Sequence, residues 1–278
     1  MSIGRPKIAK EGNDKMLHFA MFESRQNRRS FWIGAAAVVF LQALFAGIGH
    51  LYLNNPDMEK MMKQMPQGML EGFGIHPESF STFEGWISSE PYTFYVLLLG
   101  FFAMNWSIGG IVKERDRQTA EFLFTLPRSR TAIYWAKWGS HVAQVIAISI
   151  AAYAATIIAG KVTDSLTDVG AVTSVAAAGL FIALAFMGIG YALTPWLSSE
   201  RSGLSLGIGI VLLMFLFNLM AGFGDRLDWM AKISLFHLFD AFSLSQGGGM
   251  NAGAIVTAAA LFALGSAAGW VALLKRDL

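Results

Sequence analysis

Five methionines are spaced to act together. Met58, Met61, Met62, Met65 and Met69 fall at i, i+3, i+4, i+7 and i+11, one face of a helix. Thioether sulfur is a soft ligand that suits copper(I). The same stripe suits an amphipathic helix resting a pliable face on a bilayer or on neighbouring helices. Pro66 interrupts the run and no His or Cys joins it, so packing is the expected role and no metal site is assigned. His50 and His141 could act as ligands or proton carriers. Each stands near the end of an apolar stretch, where interfacial hydrogen bonding is the expected role.

Enzyme signatures are missing. The chain has no H-E-x-x-H, no G-x-S-x-G and no phosphate-binding G-x-x-x-x-G-K-[ST]. Gly247-Gly248-Gly249 lacks the Lys that would clamp a phosphate and reads as a turn. No catalytic or cofactor-binding residue is assigned, and the chain is expected not to be an enzyme in its own right.

The elements that must position these residues follow from composition. Apolar residues make up 54% of the 278 residues and charged residues only 14%, with 21 Lys+Arg against 19 Asp+Glu and a net charge of +2. A soluble domain carries about 25% charged residues. This balance excludes a disordered chain, a nucleic-acid binder and an ordinary soluble enzyme, and leaves an integral membrane protein. Cys is absent, which removes disulfides and thiolate chemistry.

Six windows lack Asp, Glu, Lys and Arg: Ser30–Pro56, Pro91–Val112, Trp138–Gly160, Val169–Ser199, Ser202–Gly224 and Ala241–Leu274, the last expected to span only over Asn251–Leu274. About 20 apolar residues cross the ~30 Å hydrocarbon layer as a helix. The fold class is therefore an all-α integral membrane protein with six transmembrane helices. The windows contain no carboxylate, Lys or Arg able to carry a coupling ion. Their polar side chains are few, chiefly Gln42, His50, Asn105, His141, Gln144 and Asn218.

Six spans put both termini on one side. Sixteen of the 21 basic residues fall on that side, including Arg25, Arg28, Arg29, Lys113, Arg115, Arg130, Lys137 and Arg276. The basic side is expected to be cytoplasmic. Residues 1–29 read as a basic cytoplasmic segment with an interfacial helix from Met16 to Arg29. Residues 30–278 read as the six-span domain, with an external loop over about 54–91 and a cytoplasmic loop over about 113–137. Gly203 with Gly207, and Gly265 with Gly269, stand at the small-xxx-small spacing that lets helices approach closely. The second pair is assigned to packing within the subunit, and Gly203 and Gly207 to a subunit interface.

The 113–137 loop carries the most information. Thr119 can cap a short helix whose Phe122, Leu123, Phe124 and Leu126 form an apolar face, and Pro127 ends it before a basic turn. An apolar helix held out by charged arms needs a partner's groove or the membrane surface. The segment resembles the E-x-x-x-G-T-x-E-x-L-x-x-x-P-x-x-R motif of permease subunits of ATP-binding-cassette transporters, in the six-helix type-2 exporter family. Glu114, Thr119, Glu121, Leu123, Pro127 and Arg130 occupy its places, Lys137 the family's Lys at the start of the third span, and Gln118 stands where the family has Gly. Ser234, Phe236, His237, Phe239 and Asp240 resemble a stretch before the last span, and Arg276-Asp277-Leu278 a family C-terminus.

The resemblance implies a permease subunit that moves substrate using ATP hydrolysed by a separate ATPase. Docking is assigned to Glu114, Thr119, Glu121, Phe122, Leu123, Leu126, Pro127 and Arg130. The implied partners are ABC ATPase subunits, a second permease subunit and the lipid bilayer, with no nucleic acid. ATP and Mg belong to the ATPase and no cofactor to this chain. The implied location is a bacterial or archaeal cytoplasmic membrane, multi-pass, with both termini cytoplasmic. The alternative is a membrane sensor or scaffold that uses the same loop to dock a cytoplasmic partner without transporting.

Overall fold

The computed structural model describes residues 27–53, 55, 64–66, 70, 76–116, 130–223 and 225–275. The long helices are α1 (Arg28–Gly49), α3 (Glu90–Asp116), α4 (Arg130–Val162), α5 (Val169–Leu193), α6 (Glu200–Ala221) and α9 (Ala252–Lys275). Short helices α2 (Phe83–Ser88), α7 (Asp228–Ile233) and α8 (Ala241–Ser245) lie between them. All described regular structure is helical, and six helical stretches are long and apolar enough to cross a membrane, α2 and α3 forming one of them. Each charge-free window coincides with one, because a helix crossing hydrocarbon must satisfy its backbone internally and cannot carry unpaired charge.

Pro91 explains the break between α2 and α3. It has no N–H to continue the ladder, and the chain leaves helical geometry at Ser89. Residues Arg130 to Lys137, read from sequence as loop, instead form the first two turns of α4. The interfacial helix over Met16–Arg29 falls almost wholly outside the described residues; Arg28 and Arg29 open α1.

Two helices form the middle of the bundle. α3 and α5 are the most buried and pack along each other; α9 lies on α5, α6 on α3, and α1 against α4 and α3. Glycine sets the closest approach. A Cβ on Gly265 would overlap the backbone of Gly188, and one on Gly269 would lie 2.7 Å from the carbonyl oxygen of Tyr191. α5 and α9 are thus in backbone contact, the packing assigned to the second glycine pair.

The chain alternates direction, so the end of α3, the start of α4, the start of α1 and the end of α9 share one end of the bundle, called here the loop end. Between α6 and α9 the chain turns back into the distal half. Ser234 donates its hydroxyl to the Met214 carbonyl (2.7 Å), seven residues inside α6, or about 10 Å from the Ala221 end. Phe236 follows it in and packs on Phe186 and Phe215, with ring centroids 5.9 and 5.8 Å apart. Irregular backbone at that depth is admissible because protein, not lipid, surrounds it.

Candidate functional site

At the loop end, α3 ends at Asp116 and α4 opens at Arg130. Ile111 and Val112 bury the last turns of α3, Glu114 lies on that helix, and Arg130 opens α4. Thr119, Glu121, Phe122, Leu123, Leu126 and Pro127 lie outside the described residues.

The first turns of α4 are tied to three other helices. A Cβ on Gly110 of α3 would overlap the His141 imidazole, so only glycine lets the ring lie flat there. His141 is 3% exposed, and its Nδ1 pairs with the Tyr191 hydroxyl of α5 at 2.9 Å. This corrects the expectation of an interfacial role for His141. His50 is exposed and bonds the Gly47 carbonyl at 2.8 Å, as an interfacial residue would. Tyr134 donates to the Ser266 carbonyl of α9 (2.6 Å), and the Trp138 indole N–H donates to the Ser266 hydroxyl (3.0 Å). Trp135 packs between Trp138 and Trp270, with centroids 5.2 and 5.9 Å away. The first turns of α4 are thus joined to α3, α5 and α9 by hydrogen bonds and close-packed rings.

Lys137 is 2% exposed on the same turns of α4, and Glu84 of α2 is 3% exposed at the distal end. The spans thus hold buried ionisable groups, contrary to the reading from charge-free windows. Those windows stop short of the helix ends, where these residues sit.

Gly203 and Gly207 face inward. Their Cβ positions would meet Ile108 at 2.7 Å and Met104 at 2.9 Å, both on α3. The close approach these glycines permit is taken up between α6 and α3 of one subunit. Spacing marked the small-residue face but not what it faces. Of the methionine stripe, Met65 is half-buried against the core; Met58, Met61, Met62 and Met69 lie outside the described residues.

Among known families, the model described as ABC-2 family transporter protein matches residues 22–276. That range takes in all six long helices and the whole 113–137 segment. The chain belongs to the ABC-2 transporter family. It is a multi-pass membrane protein of the permease type, the membrane component of such transporters. No curated protein matches it.

Sequence reasoning missed how this ABC-2 chain fastens its distal end. The Glu84 carboxylate accepts from the backbone N–H of Thr167 and of Asp168 (2.7 Å each) and from the Thr167 hydroxyl (3.1 Å). Asp168 in turn caps α5, accepting from Gly170 N–H at 2.7 Å and Ala171 N–H at 3.1 Å. Asp164 takes the left-handed conformation (φ 52°) after the last turn of α4, which lets Ser165 N–H return to the Gly160 carbonyl. Glu84 thereby holds α2 to the α4–α5 turn. Glu84→Ala leaves two N–H groups and a hydroxyl without their acceptor, and hydrogen bonds to a charged group contribute about 1.5–3 kcal/mol each. The purified protein should melt several degrees lower, whereas Glu84→Gln, which keeps one acceptor oxygen and the shape, should lose about half as much. Equal melting temperatures for Glu84→Ala and the native chain would show that the clamp contributes nothing.

Proposed function

We propose that this chain is the permease subunit of an ATP-driven transporter in a bacterial or archaeal cytoplasmic membrane, paired with a second permease and driven by separate ATPase subunits docked on the 113–137 segment. The observation that carries this reading is family membership over the whole bundle and that segment. ATP and Mg are bound by the ATPase. The chain supplies an apolar docking face of Phe122, Leu123, Phe124 and Leu126 flanked by Glu114, Glu121, Arg128 and Arg130.

The coupling step is mechanical. ATP-driven closure of the ATPase pair moves the docked segment and with it the end of α3 and the start of α4 at the loop end. His141–Tyr191 passes that motion to α5, and Tyr134 and Trp138 pass it to α9 through Ser266. A packed interior has discrete arrangements rather than continuous ones, so a small displacement selects between two packings of the bundle. The two states must differ in their contacts with the ATPase for ATP to bias them.

Charge sets the sidedness. Arg28, Arg29, Lys113, Arg130, Arg201 and Lys275 gather at the loop end, while Lys161, Arg226 and Lys232 stand at the other. Excess Lys and Arg mark the cytoplasmic side. The Cys-free chain makes this testable with an impermeant thiol reagent. Ser81→Cys should label on intact cells and Ser129→Cys should not; Ser129→Cys should label in inverted vesicles stripped of ATPase and be protected when the ATPase is added back. Labelling of Ser129→Cys from outside, with Ser81→Cys protected, would contradict the orientation, and labelling unaffected by the ATPase would contradict docking.

A further inference from the structure

α6 runs 22 residues from Glu200 to Ala221. That is about 33 Å, close to the ~30 Å of the hydrocarbon layer, so its Ala221 end stands at the distal edge of that layer. The chain that follows does not stay outside. Trp229 of α7 packs on Phe217, with ring centroids 5.9 Å apart. Phe217 precedes Ala221 by one helical turn, about 6 Å inside the edge. Ser234, which follows α7, bonds the Met214 carbonyl about 10 Å inside. Lys232 lies between these two contacts in sequence, and so between them in depth.

This stretch is open on its outer side. Lys232 is exposed, Trp229 is 50% exposed and Ile233 52%. Phe223, just past the end of α6, is 55% exposed. Asp228 stands at the i, i+4 spacing of a helical ion pair with Lys232, yet no ion pair or hydrogen bond holds the Lys232 ammonium. The Trp229 indole N–H also has no protein acceptor. A lysine facing hydrocarbon is costly, and the remedy is to run its apolar stem along the protein and lift the ammonium toward the headgroups. A tryptophan at the same level presents its ring to the acyl region and its N–H to the headgroups.

We propose that α7 seats a phospholipid of the distal leaflet, its phosphate on Lys232 and its upper acyl chain against Trp229 and Ile233. Arg226, exposed at the start of the same segment, adds a second cation nearer the surface. A phosphate offers an ammonium several acceptor oxygens and forms the stronger, charge-assisted kind of hydrogen bond. The same lipid without its phosphate would cover the apolar side chains and leave Lys232 unmatched.

The test reads the site locally, through a bimane fluorophore on Ile233→Cys in the otherwise Cys-free chain, purified full-length in dodecyl maltoside. Brominated phosphatidylglycerol quenches the fluorophore on contact, and brominated diacylglycerol is the matching lipid without phosphate. The phospholipid should quench at about tenfold lower concentration, the advantage that one charge-assisted hydrogen bond gives. Lys232→Gln should erase that advantage and Lys232→Arg should keep it. Lys161→Gln, which removes an exposed lysine near the end of α4, should leave it unchanged. Equal quenching by the two lipids, or an advantage that survives Lys232→Gln, would overturn the proposal. Quenching by aqueous iodide and not by lipid would place the segment in a water-filled vestibule, and quenching by neither would place it under a second copy of the chain; each of these results overturns the proposal too.

Discussion

Leu123→Asp should release the ATPase and abolish ATP-driven transport, while the permease still inserts and pairs. The reason lies in what the 113–137 segment leaves uncovered. Phe122, Leu123, Phe124 and Leu126 are large apolar side chains between charged arms, and each contributes about 1.5–3 kcal/mol when moved from water into an apolar groove. A carboxylate at the centre of that face would have to be desolvated with nothing to pair it, which costs more than the face gains. Glu121→Ala should act differently. The apolar face survives, so the ATPase stays bound, but a carboxylate that orients the segment in its groove is gone and turnover stimulated by the permease should fall. Both variants are to be purified with the ATPase, and the amount bound and the rate of ATP hydrolysis measured. Full binding and full turnover in Leu123→Asp would show that the face rests on the membrane.

Gly265→Leu should prevent the bundle from assembling. A Cβ at Gly265 would overlap the Gly188 carbonyl group, and one at Gly188 would overlap the backbone of Leu261 and Phe262. Backbone cannot swing aside as a side-chain tip can, so α5 and α9 would have to part. Ser266 would then be drawn away from Tyr134 and Trp138. Overpacking a core costs about 1–3 kcal/mol even where side chains can adjust, and here the lost hydrogen bonds add to it. Gly209→Leu is the control, since no atom of another helix lies within 4 Å of its Cβ position. The yield of monodisperse protein after detergent extraction should collapse for Gly265→Leu and stay unchanged for Gly209→Leu. Similar yields for the two would mean that α5 and α9 do not touch as described.

The spans were legible in the sequence because hydrocarbon enforces one rule on every residue that meets it. Val169 opens both the charge-free window and α5, and Ala252 opens α9 one residue after the expected start at Asn251. What each helix faces was not legible. The Gly203/Gly207 and Gly265/Gly269 pairs have the same spacing, and both turn out to be used within the subunit; nothing in either pair names the partner helix. Glu84 reads in sequence as one of many acids in a loop, since its acceptor role depends on Thr167 and Asp168 arriving more than eighty residues later. Gln42 was visible as a rare intramembrane amide, but only the packing of α1 on α3 shows its nitrogen donating to the Pro91 carbonyl. The proposed docking residues rest on motif and composition, and of them Glu114 and Arg130 lie among the described residues, one on each helix that flanks the segment.

On the proposed reading, this ABC-2 chain works with a separate ATPase held by the 113–137 segment. The most direct test is to purify the full-length tagged chain from its native membrane and identify what stays bound. A P-loop ATPase should co-purify in equal amount with the permease, should hydrolyse ATP, and should be lost from the Leu123→Asp preparation. Recovery of the native chain alone, or with a partner that has no ATP site, would contradict the claim and favour a membrane sensor or scaffold.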